Sequence, residues 1–174
     1  MKNAYGYVGA VVVGLILAGG LAVQAAAQTK TAAPAKAAPP AKAAAKSAAR
    51  VVKISADDTL KYDVTTINAK PGEALEIELT SKSALPKQAM AHNFVLLKKT
   101  TDLNAFVMEA AMSQATGYIP AKYKAEVIAS TPMAGPGETV KATFKAPTVP
   151  GSYTYLCSFA GHFLAGMKGT LVVK

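Results

Sequence analysis

The sequence predicts an all-β fold, a β-sandwich of about eight short strands with one short helical insertion. From residue 51 to residue 174, apolar and polar residues alternate in short runs, a pattern typical of half-buried strands. Clusters of Pro and Gly separate these runs, as at Pro71-Gly72 and at Gly135-Pro136-Gly137. Short strands with turn signals between them are typical of a β-sandwich.

Residues 1–27 are predicted to be a secretory signal peptide or an N-terminal membrane anchor. Lys2 precedes an apolar run from about Val8 to Val23, and Ala25-Ala26-Ala27 offers small residues for cleavage. Glycines interrupt the run, which favours cleavage, but about 20 apolar residues can also span a bilayer. In either case we expect export, to the periplasm or to the outer face of the cytoplasmic membrane.

Residues 28–50 are predicted to be a disordered linker rich in Ala, Lys and Pro. The segment contains no acidic residue and no hydrophobic residue larger than Ala, so it cannot bury enough surface to fold. Its prolines favour extended conformations. If the N-terminus stays in the membrane, the segment is a membrane tether; if it is cleaved, the segment is a basic tail.

The positive charge is concentrated in this N-terminal part. The chain has a net charge of +9, but six of its 19 positive residues precede residue 51, and all ten acidic residues lie from Asp57 onward. The remainder therefore carries 13 positive and 10 negative residues, a net charge of +3. That is no nucleic-acid signature, and we expect no nucleic-acid partner. The basic segment is expected to meet anionic lipid or cell wall, or to be only a solubilising surface.

The eight predicted strands follow the alternating runs in chain order. They are the run around Val52 and Ile54, Lys61–Ile67, Glu73–Thr80, Asn93–Leu97, Lys124–Ser130, Thr139–Lys145, Tyr153–Cys157 and Lys168–Lys174. The period of two predicts which side chains face inward. These are Leu75, Ile77 and Leu79; Val140, Ala142 and Phe144; Tyr153, Tyr155 and Cys157; and Leu171 and Val173.

Residues 101–115 carry a different period. Leu103, Phe106, Val107 and Ala110 have helical spacing, and Asp102 is placed as an N-cap. The segment is predicted to continue to about residue 123 as a helical insertion on one side of the sandwich. Met108 and Met112 are expected to be core residues.

The candidate functional residues are the only cysteine, both histidines and one methionine. Cys157 ends an apolar strand run, His162 and Met167 follow it within eleven residues, and His92 lies far upstream. One Cys, two His and a long axial Met form the ligand set of a blue-copper electron-transfer site. Each residue alone would be explained as an ordinary buried side chain, but their order and spacing favour one copper ion bound by all four.

The loop from Cys157 resembles the copper loop of auracyanin. It reads Cys-x4-His-x4-Met followed by Lys-Gly-Thr-Leu, and it is similar to the azurin loop, in which the His-to-Met gap is one residue shorter. Residues 85–96 also resemble azurin. The resemblance covers about residues 51–174 and implies a cupredoxin domain there, a Greek-key β-sandwich of the plastocyanin and azurin kind that shuttles single electrons. The chain departs from azurin in having one cysteine and hence no internal disulfide.

The resemblance also implies roles for residues around the ligands. The backbone carbonyl of Ala91, where azurin has Gly, would be a weak further contact to copper. Asn93 would tie its loop to Ser158 by hydrogen bonds, and Phe159 would cover the metal. His162 would expose its outer ring edge in an apolar patch that serves as docking surface and electron port. The members of this patch are Leu60, Leu85, Met90, Phe159, Ala160, Phe163 and Leu164.

The number of Cys and His residues in the chain distinguishes a single-copper electron carrier from other copper proteins. A binuclear copper centre needs a second cysteine, and copper oxidases and nitrite reductases need further histidines, so we expect no enzyme. Two alternatives stay open: a copper-binding storage or delivery protein without a redox partner, and a zinc site with the same four ligands. The expected partners are redox proteins such as cytochromes or respiratory or photosynthetic complexes, met by a monomer.

Overall fold

The computed structural model describes residues 48–174, and within this range it is a β-sandwich. The predictions for residues 1–27 and for nearly all of 28–50 lie outside the described residues. The strands are β1 Arg50–Ala56, β2 Thr66–Ala69, β3 Ala74–Ser81, β4 Val95–Leu97, β5 Val127–Ser130, β6 Thr139–Lys145, β7 Gly151–Leu156 and β8 Lys168–Val173. A three-stranded sheet has the order β1-β3-β6, and a five-stranded sheet has the order β2-β8-β7-β4-β5. The predicted all-β class is therefore confirmed.

The main core lies between the two sheets. In β3, Leu75, Ile77 and Leu79 are fully buried, while the polar residues between them lie on the outer face. Leu171 and Val173 of β8 enter the same core from the opposite sheet. The predicted inward faces of these strands are confirmed, because a period of two leaves only one face that can be buried.

A second core lies on the outer side of the five-stranded sheet. Helix α1, Leu103–Ala111, buries Phe106, Val107 and Ala110 against Val95 and Leu97 of β4. The side chain of Asp102 caps the helix by accepting a hydrogen bond from the Ala105 N–H at 3.0 Å, as predicted. Strand β4 is thus covered on both faces, which explains its uninterrupted apolar sequence.

The prediction that Met108 and Met112 are core residues is wrong. Their exposed fractions are 64% and 87%. Both lie on the outer face of α1, because a step of four residues returns to the same side of a helix and Val107 and Ala110 already occupy the inner side. Two 3-10 turns, Gln114–Thr116 and Ala121–Glu126, continue the insertion beyond α1.

Three strands are shorter than predicted: β2, β4 and β5 begin at Thr66, Val95 and Val127 instead of at Lys61, Asn93 and Lys124. Within Lys61–Ile67, Tyr62 forms an isolated bridge to Ala56. The carboxylate of Asp63 accepts hydrogen bonds from the N–H and hydroxyl of Ser55 at 2.7 Å, in addition to one backbone bond between the two residues. Among residues 48–174 no helix is both long and apolar enough to cross a membrane.

Candidate metal centre

Strand pairing brings the four predicted ligands to one end of the five-stranded sheet. The antiparallel pair β4 and β7 aligns Val95 with Leu156, so the residues before β4 lie beside the end of β7. His92 precedes β4 and Cys157 follows β7 directly. On the other side of β7, the N–H of Cys157 donates to the carbonyl of Met167 at 3.2 Å.

Three of the ligand atoms converge in a buried cluster. The Sγ of Cys157 and a ring nitrogen of each of His92 and His162 all lie within 4.8 Å of one another. The Cys157 Sγ is 3.4 Å from His162 Nδ1. Exposed fractions are 0% for His92 and Cys157 and 3% for His162. Met167 is also fully buried, and its N–H donates to the carbonyl of His162 at 3.0 Å.

Two glycines let the loop between Cys157 and Met167 fold back. Gly161 has φ +84° and Gly166 has φ +98°, which L side chains rarely adopt. The N–H of Ala165 donates to the Gly161 carbonyl at 3.1 Å, and the N–H of Gly166 donates to the Phe163 carbonyl at 2.9 Å. These closed turns return the chain so that Met167 lies beside Cys157.

Backbone hydrogen bonds hold His92 in place, and its ring nitrogens take no part in them. Its N–H donates to the Ala134 carbonyl at 3.0 Å, and its own carbonyl accepts from the Ala134 N–H at 2.7 Å. Both ring nitrogens are buried and have no hydrogen-bond partner among the described residues. Buried polar atoms without a partner are costly and rare. A metal ion would satisfy one of these nitrogens, and thiolate with imidazole is a donor set that suits copper, so the residues present fit this metal.

Burial sets the protonation of the metal-free cluster. It raises the pKa of the Cys157 thiol to about 12, opposed in part by the backbone N–H groups of Asn93 and Phe159. Burial, and next the charge of His92, lower the pKa of His162 to about 4. Burial also lowers the pKa of His92, against the charges of Asp58 and Asp57. At neutral pH the cluster therefore consists of a thiol and two uncharged imidazoles, so no charge is buried before a metal arrives.

Asn93 ties the two ligand-bearing segments together. Its Nδ2 donates to Ser158 Oγ at 2.9 Å, and its Oδ1 accepts from the Ser158 N–H at 2.9 Å. The hydroxyl of Tyr62 donates to the Asn93 carbonyl. Both Asn93 and Ser158 are buried, so these contacts hold His92 and Cys157 at a constant separation. The structure has the hydrogen bonds that the resemblance implied.

The carbonyl of Ala91 points toward the cluster. Its oxygen lies 3.9 Å from Cys157 Sγ, and the residue is 1% exposed. The methyl group of Ala91 therefore leaves its carbonyl directed toward Cys157.

Phe159 covers His162 on one side. The two ring centroids are 4.6 Å apart with an interplanar angle of 39°. His162 is only 3% exposed, so very little of the expected outer ring edge reaches solvent. The residues expected to form the apolar patch differ in exposure: Leu164 is 67% exposed and Leu85 is 44% exposed. Ala160 is exposed as well, whereas Leu60, Met90 and Phe163 are half-buried.

Sequence reasoning missed three residues that shape the cluster. They are Ala134, which pairs with His92, Tyr62, which bonds to Asn93, and Tyr118, which packs on Phe159 at 4.8 Å. Each acts across a long sequence separation without a local motif, so no pattern in the chain could have identified them.

Comparisons with known proteins agree with this geometry. A family model described as copper binding proteins, plastocyanin/azurin family, matches residues 48–174. Auracyanin-B of Chloroflexus aurantiacus is 34% identical over 130 residues, covering 74% of this chain and 54% of the relative, so the chain spans about half of that protein. Azurin iso-2 of Methylomonas sp. (strain J) is 34% identical over 125 residues, covering 70% of this chain and 95% of the relative. A solved structure of a reduced auracyanin from Roseiflexus castenholzii has TM-score 0.62 and 30% identity, covering 72% of this chain and 98% of that one.

Proposed function

Because the chain belongs to the plastocyanin/azurin family of copper-binding proteins, a family of blue-copper electron carriers, we propose that it carries single electrons between redox partners outside the cytoplasm. Its fold is the Greek-key β-sandwich of the cupredoxins. The observation that carries the proposal is the buried convergence of Cys157, His92 and His162, in which both His92 ring nitrogens lack a partner among the residues described.

The proposal assigns a role to each residue of the cluster. Cys157 supplies a thiolate, and His92 and His162 each supply an imidazole nitrogen. Met167 would supply a thioether as a weaker ligand, and the carbonyl of Ala91 would be a further weak contact. Copper bound here supplies a one-electron couple between Cu(II) and Cu(I).

The surrounding residues keep the ligands still while the charge of the site changes. The two hydrogen bonds between Asn93 and Ser158 join the loop of His92 to that of Cys157. Backbone hydrogen bonds fix Met167 to both Cys157 and His162. The ligand side chains would therefore occupy nearly the same positions around Cu(II) and Cu(I), so that little of the protein must move when an electron enters or leaves.

Export and partners complete the proposal. Residues 1–27 would act as a signal peptide or membrane anchor, residues 28–50 as a linker or tether, and residues 51–174 as the copper domain. Similarity to auracyanins and azurins supports export, and we place the protein in the periplasm or on the outer face of the cytoplasmic membrane. The partners would be cytochromes or respiratory or photosynthetic complexes that meet the apolar patch near His162. With both histidines and the only cysteine used as ligands, we assign no enzymatic reaction to the chain.

Colour tests the proposal. The purified protein with Cu(II) should be intensely blue to green, because a Cu(II)-thiolate bond gives a strong charge-transfer band, and reduction by one electron should bleach it reversibly. In Cys157→Ser the band should vanish while the sandwich still folds, and the zinc-loaded native protein serves as a colourless reference. A band retained in Cys157→Ser would refute the assignment. Rapid loss of copper to a chelator would instead indicate copper storage or delivery.

A further inference from the structure

Tyr118 has a backbone conformation that is unusual for a bulky residue. Its φ is +61°, and among residues 48–174 the only other non-glycine residue with positive φ is Leu60. The preceding residue, Gly117, is also left-handed, with φ +67°. Such conformations are strained and persist only where the surrounding structure holds them, often beside a functional site.

Hydrogen bonds on both sides hold the turn that contains Tyr118. Its N–H donates to the Ser113 carbonyl at 2.9 Å. The hydroxyl of Thr116 lies 2.9 Å from the Ser113 carbonyl and 2.8 Å from the Ile119 carbonyl, and it can donate to either. The turn is thus fixed before and after Tyr118, whose side chain belongs to the second core together with Phe106 and Leu156.

The ring of Tyr118 packs on that of Phe159, and the ring of Phe159 packs on that of His162, one of the proposed metal ligands. The Tyr118 centroid lies 4.8 Å from that of Phe159, at an interplanar angle of 40°. Phe159 in turn packs on His162 with a centroid distance of 4.6 Å. Tyr118 is only 9% exposed, so its ring face is used by this packing.

A cleft lies beside the rings of Tyr118 and Phe159, and the Tyr118 ring limits how far water in it can approach the proposed ligands. The cleft has a volume of about 180 Å³, and Tyr118, Phe159, Met133 and Ala91 contribute to its walls. The carbonyl of Ala91 is itself 3.9 Å from Cys157 Sγ. Loss of the Tyr118 ring would extend this cleft along Phe159 toward the ligands and admit water.

We propose that Tyr118 is a positioning residue for the metal centre: its ring holds Phe159 against His162 and keeps water from the ligands on this side. The inference rests on the proposed function, in that His162 and Cys157 bind copper. The apolar shell around a metal controls solvent access and the local dielectric, and hence the reduction potential. The oxidised site carries one more positive charge than the reduced site. Water admitted by removal of the ring therefore stabilises the oxidised state and shifts the reduction potential downward.

Three variants separate the ring from its hydroxyl and from the insertion as a whole. Tyr118→Ala removes the ring, Tyr118→Phe keeps it, and Tyr123→Ala removes a ring of the same insertion that packs edge-to-face on Phe106 instead. The first measurement is made on the metal-free protein by NMR, as the ring-current shift of the His162 ring protons caused by Phe159. The second is the reduction potential of the copper-loaded protein.

Tyr118→Ala is expected to reduce the His162 ring-current shift and to lower the reduction potential, while Tyr118→Phe and Tyr123→Ala leave both at their native values. If Tyr118→Ala leaves both unchanged, or if Tyr123→Ala changes them equally, the proposal is wrong. A change in Tyr118→Phe equal to that in Tyr118→Ala would assign the effect to the hydroxyl and also overturn it. Should Tyr118→Ala not fold, Tyr118→Asn tolerates the left-handed backbone, leaves most of the ring volume empty and is read by the same criteria. The NMR result does not depend on copper, so it stands even if the metal assignment fails.

Discussion

The protonation of Cys157 and the two histidines determines how many protons are released when a metal binds. Cysteine and histidine bind metals only without their ligand proton, so binding releases every proton that the metal-free cluster holds on those atoms. At pH 7 the thiol is protonated, because burial raises its pKa to about 12. His162 is uncharged, because burial lowers its pKa to about 4, and the pKa of His92 is lowered as well.

We therefore expect about one proton to be released per metal ion bound at pH 7, all of it from Cys157. Calorimetry of Zn(II) binding in buffers of different ionisation enthalpy gives this number as a slope. Cys157→Ser is the control and should release none, since its hydroxyl keeps its proton. Release of two protons by the native protein would show that a histidine is charged in the metal-free state.

Met167 is predicted to tune the reduction potential rather than to hold the metal. Its thioether is a weak donor, so Met167→Leu should keep copper bound, remove a donor that favours Cu(II), and make the site more apolar. Both effects raise the reduction potential, and each tenfold gain in the reduced fraction corresponds to about 59 mV for one electron. Redox titration measures the shift. Met108→Leu, on the exposed face of α1, is the matched control; an unchanged or lower potential in Met167→Leu would exclude Met167 as the axial ligand.

At the scale of elements, the sequence predicts those strands whose burial follows a strict local period. Strands β3 and β6 were placed within one residue because alternation along a strand reflects a single buried face. The helix was also placed correctly, with Phe106, Val107 and Ala110 on its buried face, but Met108 and Met112 are exposed, because an apolar residue type alone does not place a side chain on the inner face. The packing of Tyr118 on Phe159 could not be predicted either, because the two residues are 41 positions apart and no local pattern joins them.

The hydrogen bonds between Asn93 and Ser158 are predicted to stabilise the pairing of the β4 and β7 ends. Asn93→Ala removes both bonds and leaves the buried Ser158 N–H and hydroxyl without their partner, whereas Ser158→Ala removes one bond and leaves only the buried Asn93 Nδ2 without its partner. An orphaned buried polar group costs about 1–3 kcal/mol. Both variants should therefore lower the free energy of unfolding, Ser158→Ala by about 1–3 kcal/mol and Asn93→Ala by more, because it breaks two bonds instead of one. Urea unfolding of the metal-free proteins measures both, and equal losses would contradict the account.

For the whole molecule, surface chemistry differs between the ends of the sandwich. The metal cluster lies where β7 ends at Leu156, and the exposed Leu164 and Leu85 lie on segments flanking it. Val149, in the turn before β7, is also exposed, at 59%, but a six-residue strand of about 20 Å separates it from the cluster. Electron exchange falls off steeply with distance, so under the proposed function the end of the sandwich that carries His92, Cys157 and His162 would be the contact surface. Weak redox encounters use small interfaces, which a few exposed apolar side chains can supply.

Leu164→Asp should slow electron exchange between oxidised and reduced copies of the protein without changing colour or reduction potential. Leu164 is 67% exposed, so the substitution is tolerated by the fold, but it places a carboxylate on the contact surface and a like charge on the facing copy. A penalty of about 1.4 kcal/mol in the encounter would slow exchange about tenfold. NMR line broadening in mixtures of the two oxidation states measures the rate. Val149→Asp makes the same change in charge at a similarly exposed site and should exchange at the native rate. If both variants slow exchange equally, net charge is the cause; if neither does, the electron leaves the site by another surface.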